Sequence, residues 1–208
     1  MLPEDVARAM WRASHVTFLK RQHIAYEIGD SHGGIFGIVS GAIALRTDDG
    51  RGSAVFGHFL GRGAWFGEAP VLTGTDRVIG AVAATDCTLR TVSNATLRSL
   101  AERDPRVWQA LGALAAMNAG TAIMSARALM VRDPKLRCVS VLRRIKIEFG
   151  TDTDIPIRQD ELADMCALSR GAVSAILRDL ETAGCLIRGY GGFRLTDRID
   201  TEVADETV

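Results

Sequence analysis

Apolar residues at Val173, Ile176, Leu177 and Leu180 follow i, i+3, i+4, i+7, which predicts a helix with one buried stripe. Ser169 stands at its start as an N-cap and Gly184 at its end as a stop. Just upstream, IRQDELADMC (157–166) predicts a second short helix with Leu162, Ala163 and Met165 or Cys166 inward. Only Ala167 and Leu168 separate the two, the tight connection of a helix-turn-helix. CLIRG and GFRLT, around Tyr190-Gly191, read as two strands that follow it.

The first half of the chain has another texture. From 16 to 97 short β-type runs succeed one another, HVTFLK, IAYEI, GIFGIV, AIALRT, SAVFGHFL, VIGAVAAT and CTLRTV, punctuated by glycines. Such spacing predicts an antiparallel sandwich or roll. TDDGRG (47–52) is its clearest hairpin turn, since Asp-Gly supplies the positive φ of a type I′ turn. Residues 3–12 suit a short amphipathic helix ahead of these strands.

The pattern turns helical near Ser93, and Asp104-Pro105 reads as a cap followed by a proline at the first helical position. Beyond it, Ala110, Leu114, Met117, Thr121, Met124, Ala128 and Val131 recur at alternating steps of four and three, the spacing of a helix-pairing seam. The stretch 107–126 carries no charge and is long enough to span a membrane, but Gln109, Asn118, Thr121 and Ser125 and its many Ala and Gly argue for a buried helix. It is expected to pack on its own domain and on a second copy, making a homodimer. Asp133-Pro134 breaks it. Three segments follow: a β-roll over 1–103, a dimerisation helix and hinge over 104–133, and a helix-turn-helix domain over 134–208, which opens with a helix over 135–149 and a short strand IPI. The acidic residues from 197 onward are expected to fray. The fold class is α+β.

Composition changes this picture little. The 208 residues carry 25 basic and 25 acidic side chains, so bulk charge points to no partner, and 47% apolar content supplies a core. The four cysteines form no CxxC pair, which argues against a zinc ribbon or disulfide framework and fits a reducing cytoplasm. The N-terminus lacks the apolar run of a signal peptide, and no membrane partner is expected. His32-Gly33-Gly34 has no GxSxG nucleophile to serve, GRGAWFG is no dinucleotide fingerprint, and the four histidines show no metal-pair spacing. No catalytic site and no metal site are expected.

With the stripe of the 169–184 helix turned inward, Arg170, Ser174 and Arg178 share the opposite face, one turn apart. An arginine in the first turn opposes the helix dipole at a cost of about 0.3–1 kcal/mol, and such a broken local rule points to a functional site. The missing counterpart would be an anion or a guanine edge. In a DNA major groove Arg170 could donate twice to one guanine while Arg158, Gln159 and Ser169 face phosphates.

RQDELADMCALSRGAVSAILRDLETAGCLIRGYGGFRL resembles the winged helix-turn-helix of Crp/Fnr-type bacterial transcription regulators. EIGDSHGGIFGIVSGAIALR and GRGAWFGEAPVLTGTDRVIGAVAATDCTL resemble the cyclic-nucleotide-binding β-roll of the same family. The resemblance implies a jelly-roll-like sensor domain, a dimerisation helix and a winged helix, acting as a sequence-specific DNA-binding regulator. It places Arg170 at the base-reading position and Ser169 and Gln159 at phosphate contacts. Three positions depart from the family wording, Gly171, Ala175 and Ala167, standing for a glutamate, a second arginine and a turn glycine. The operator should therefore differ from the familiar one, and a degenerate winged helix in a small-molecule sensor or interaction protein is the alternative.

For the β-roll the resemblance implies Phe66, Gly67, Glu68 and Arg77 as effector contacts, with Val78 where a phosphate-binding hydroxyl is usual and Thr121 beside the positions that meet a base. An Arg77–Glu68 ion pair over a sheet end is the competing expectation. The effector stays open between a cyclic nucleotide, another small molecule and none. Double-stranded DNA and a second copy of the chain are the implied partners, with RNA polymerase and a small-molecule effector as further candidates. The family's iron–sulfur sensing is not expected, since no N-terminal cysteine cluster exists.

Overall fold

The structure, a computed structural model, describes residues 4–31, 33–48, 54–151, 153–189 and 192–202. The chain divides into two compact units, Met1–Thr47 with Leu60–Ile123, and Asp48–Phe59 with Met124–Val208.

The first unit opens with α1 (Glu4–Ala13), whose Val6 and Met10 are buried. Two antiparallel sheets follow. One has the order β1 (His15–Leu19), β8 (Cys87–Ser93), β3 (Gly34–Ser40), β6 (Trp65–Phe66); the other runs β2 (Ile24–Tyr26), β7 (Gly80–Ala83), β4 (Ile43–Asp48). Their facing sides share one core that includes Tyr26, Ile38, Ile43, Phe66, Ala81 and Leu89, so period-two alternation buries one face of each sheet. The opposite face of β3 and β8 buries Ile35 and Val92 beneath α1, α3 (Asn94–Arg103) and the first turns of α4 (Arg106–Leu129). Arg106 pairs with both Asp5 and Asp104 at 2.7 Å and so ties α1 to the start of α4.

Every β-run expected from the sequence contains a strand, each close to its predicted place. The two-residue β6 and the five-residue α2 (Ala69–Thr73) were not foreseen. The Asp49-Gly50 turn lies outside the described residues. On α4 the seam is uneven: Ala110, Leu114 and Ala128 are buried, while Met117 and Met124 are 56% and 48% exposed. Its last member, Val131, falls beyond the helix end at Leu129.

The second unit contains nearly all of β5 (Ala54–Leu60), then α5 (Pro134–Phe149), α6 (Gln159–Cys166), α7 (Arg170–Thr182) and the antiparallel pair β9 (Leu186–Gly189) and β10 (Gly192–Leu195). Asp133 caps α5, its carboxylate accepting from Leu136 N–H at 2.7 Å, with Pro134 at the first helical position. The expected IPI strand is a single bridge from Ile155 to Phe193. A β-carbon on Gly192 would lie 2.2 Å from the Ile155 carbonyl, so only glycine permits that crossing. The expected fraying of the acidic end is corrected for 197–202. A 3-10 helix (Asp197–Asp200) buries Ile199 and is clamped to α5 by Lys146, paired with Asp197 and Asp200 at 2.7 and 2.5 Å, and by Arg143, which donates to the Ile199 carbonyl at 2.9 Å. Those carboxylates act as counter-ions to α5 rather than as a solvated tail. All four cysteines are buried and unbridged.

Candidate nucleic-acid interface and β-roll site

The helix-turn-helix is built by its caps. Arg158 donates its backbone N–H to the Glu161 carboxylate at 2.8 Å, which closes the first turn of α6. At the other end Ala167 takes a left-handed φ of 49°, letting Leu168 N–H reach the Ala163 carbonyl at 3.0 Å. Ser169 then starts α7, its hydroxyl accepting from Ala172 N–H at 3.2 Å. Val173, Ile176, Leu177 and Leu180 are buried, as their spacing predicts. Gly184, at φ 75°, ends the helix and Cys185 N–H returns to the Leu180 carbonyl at 2.8 Å.

Burying that stripe leaves Arg170, Gly171 and Arg178 exposed and Ser174 half-buried. Among the described residues no ion pair involves Arg170 or Arg178, whereas Arg158 is held by Asp160 at 3.2 Å and Glu161 at 3.3 Å. A groove of about 560 Å³ runs between the start of α7 and the β9–β10 pair, lined by Arg158, Gln159 and Arg170 on one side and Arg188 on the other, above Ile157, Leu177 and Phe193. The structure thus brings Arg158, Gln159 and Arg170 to one groove. Ser169, Gly171, Ser174 and Arg178 do not line it; Ser169 is spent on the cap. Arg188 was missed, because its place opposite Arg170 depends on how the β9–β10 pair packs.

In the β-roll, Phe66, Gly67, Glu68 and Arg77 lie near one another, and Phe66, Glu68 and Arg77 are buried. Arg77 is 4% exposed. Its Nη2 donates to the Gly34 carbonyl at 3.0 Å and its Nη1 to the Gly67 carbonyl at 3.4 Å, while its guanidinium lies flat on Tyr26 at 3.7 Å. A β-carbon on Gly33 would stand 2.4 Å from Nη2, so Gly33, at φ 150°, makes room for this seat. Burial draws the Arg77 guanidinium below its ordinary value and pushes the Tyr26 hydroxyl up to about 12. Tyr26, Phe36 and Phe66 pack with ring centres 5.3–6.0 Å apart and fill the space beneath.

One expectation is corrected. Among the described residues Glu68, buried, forms no ion pair with an arginine; Glu68 Oε1 accepts from Asn118 Nδ2 of α4 at 3.0 Å, so the expected Arg77–Glu68 ion pair is replaced by a bond to the helix. Val78 is 74% exposed. Thr121 donates to its own helix at the Met117 carbonyl. Asn118 is the residue missed, one of two amides in an uncharged stretch, which could be read only as interrupting the stretch's apolar character.

A cyclic nucleotide needs a free arginine and a free carboxylate, one for the phosphate and one for the ribose. Here two Arg77 donors go to backbone carbonyls and its face to Tyr26, and Glu68 is taken by Asn118. Only Nε of Arg77 is buried without an acceptor. The residues present do not fit that ligand in this arrangement.

Residues 16–104 match the family model Cyclic nucleotide-binding domain, and residues 136–199 match Crp-like helix-turn-helix domain. The chain belongs to the Crp/Fnr family of DNA-binding transcription regulators. It is 28% identical over 191 residues to the cyclic AMP receptor protein of Thermus thermophilus, covering 92% of this chain and 88% of that protein. The structure of FixK2 from Bradyrhizobium japonicum matches with a TM-score of 0.80 at 21% identity, covering 90% of this chain and 96% of that one. That of CLP from Xanthomonas campestris, described as responsive to c-di-GMP, matches at 0.72 and 20% identity, covering 93% and 99%. These two likenesses show the shared fold. The family is one of transcription regulators rather than enzymes, and among the described residues no helix is long and apolar enough to cross a membrane.

Proposed function

We propose that the protein is a cytoplasmic homodimer whose two winged helices read half-sites about one DNA turn apart, with Arg170 as the base-reading side chain. The observation that carries this is the exposure of Arg170 in the first turn of α7, where the helix dipole disfavours it and no carboxylate among the described residues offsets it. Gln159 and Arg158 border the same groove and would hold phosphates. Ser169 fixes the helix start that aims them, and Ser174 and Arg178 extend the same face. Residues 104–133 pair the protomers, 1–103 form the sensor-like roll and 134–208 the DNA-binding domain. Bound beside a promoter, the dimer would act on RNA polymerase by contact or by occlusion.

The β-roll works without a cyclic nucleotide in this reading, because Arg77 and Glu68 are already engaged by the protein itself. Selection from a random-sequence duplex library tests the whole reading. Enrichment of one pseudo-palindromic site supports it, and equal, salt-sensitive, micromolar binding to all sequences would contradict it. Titration calorimetry with cyclic AMP and cyclic GMP should give no heat; saturable heat with either would show that Arg77 leaves its seat.

A further inference from the structure

Arg188 of β9 forms an ion pair with Glu181 of the last turn of α7 at 2.8 Å, both side chains about 40% exposed. The same Arg188 lines the groove that Arg158 and Arg170 line. Three arginines from three elements, the entry to α6, the start of α7 and the first strand of the pair, therefore border one groove of about 560 Å³ with buried apolar residues in its lining and one lining acid, Asp160, which is paired with Arg158 at 3.2 Å. One sugar–phosphate strand carries its anionic phosphates at short, regular intervals and would meet all three. We infer that Arg188 is a further DNA-phosphate contact, and that Glu181 acts as its internal stand-in for phosphate and weakens DNA binding in the resting protein. The inference rests on the reading of the winged helix as a DNA-binding surface.

Its physics differs from that of Arg170. An exposed ion pair contributes little, on the order of 0.2–1 kcal/mol, so a phosphate can take Arg188 from Glu181 at small cost. While Glu181 stays ionised it also repels the incoming strand. Arg170 stands at the other end of α7, within its first turn, and has no comparable competitor among the described residues. The second arginine that the family wording places on α7 is Ala175 here.

The probe is a mixed-sequence duplex long enough for both half-sites, titrated by fluorescence anisotropy against the full chain over a range of salt. Arg188→Ala should lower the slope of log affinity against log salt by about 0.9 for each protomer engaged. Glu181→Gln should bind roughly 1.5- to 5-fold tighter at low salt, the reach of an exposed ion pair. An unchanged slope in Arg188→Ala, or a Glu181→Gln protein that binds no tighter, overturns the inference. Arg170→Ala in the same titration separates the two levels. If it weakens binding while the changes at 188 and 181 do nothing, only this inference fails; if the wild-type chain shows no salt-dependent binding, both fail. Circular dichroism of each variant confirms the fold, which neither half-exposed side chain supports from the core.

Discussion

The guanidinium of Arg77 lies 3.7 Å from the centre of the Tyr26 ring, inside the β-roll. A buried cation stacked on an aromatic face and bonded to two carbonyls is a structural tie. Arg77→Ala should destabilise the first unit by about 3 kcal/mol. Trp11, Trp65 and Trp108 all belong to that unit, so urea unfolding followed by tryptophan fluorescence reads it directly. A loss below about 0.5 kcal/mol, the level of an ordinary surface substitution, would mean that Arg77 is not a tie.

The same relationship sets an alkaline limit. Burial raises the Tyr26 hydroxyl to about 12 in the folded chain, against about 10 when unfolded. Below pH 10 the hydroxyl is protonated in both states and its contribution is complete. Between pH 10 and 12 only the folded state keeps the proton, so stability falls, by about 2–3 kcal/mol in all. Tyr26→Phe should remove that part of the decline when both proteins are unfolded in urea across this range. Parallel profiles for the two would show that Tyr26 is not the titrating group.

Ala167 sits in the left-handed region at φ 49°, where its β-carbon crowds its own backbone. The helix-turn-helix keeps this strain because Leu168 and Ser169 must be aimed at their own bonds. Ala167→Gly should therefore stabilise the second unit by roughly 0.5–1 kcal/mol, the opposite of the usual effect of glycine. Scanning calorimetry, with the transition of this unit followed by circular dichroism, would register a higher melting temperature. A lower one would mean that the turn relaxes and Ala167 carries no strain.

On α4, Ile123 is 67% exposed and Met124 48%, in a helix that is otherwise uncharged from 107 to 126. A second copy covering this face, as proposed, would account for so much retained apolar surface. Ile123→Glu should shift the chain from dimer to monomer in sedimentation velocity at micromolar concentration, with little change in circular dichroism. A wild-type monomer, or a dimer untouched by the substitution, would remove this helix as the pairing surface.

Much of the fold could be read along the chain because local rules dominate there. The 3.6-residue stripe of α7, its caps at Ser169 and Gly184, and the two-residue alternation of the strands each depend on near neighbours alone. What stayed hidden depends on distant ones. The two-residue β6 and five-residue α2 are too short for any periodicity to register. Asn118 finds Glu68 fifty positions away, and the acidic residues of the last helix find Lys146 and Arg143 on α5. Arg77 could be singled out in the β-roll from the sequence, yet which way it would be neutralised depended on the carbonyls of Gly34 and Gly67 and the ring of Tyr26. For the proposed DNA surface the stripe told which residues face out, and only packing told that Arg188 lines the same groove as Arg170.

The central claim is that Arg170 reads a base, and the most direct measurement is operator preference with and without its side chain. Sites are selected from a random library by the wild-type protein, and affinities for the enriched site and each single-base variant are then measured with wild-type and Arg170→Ala protein. The substitution should cost about 1–3 kcal/mol on the enriched site and erase discrimination at one base pair in each half-site, leaving the others intact. Retained discrimination at every position, with affinity unchanged, would contradict it.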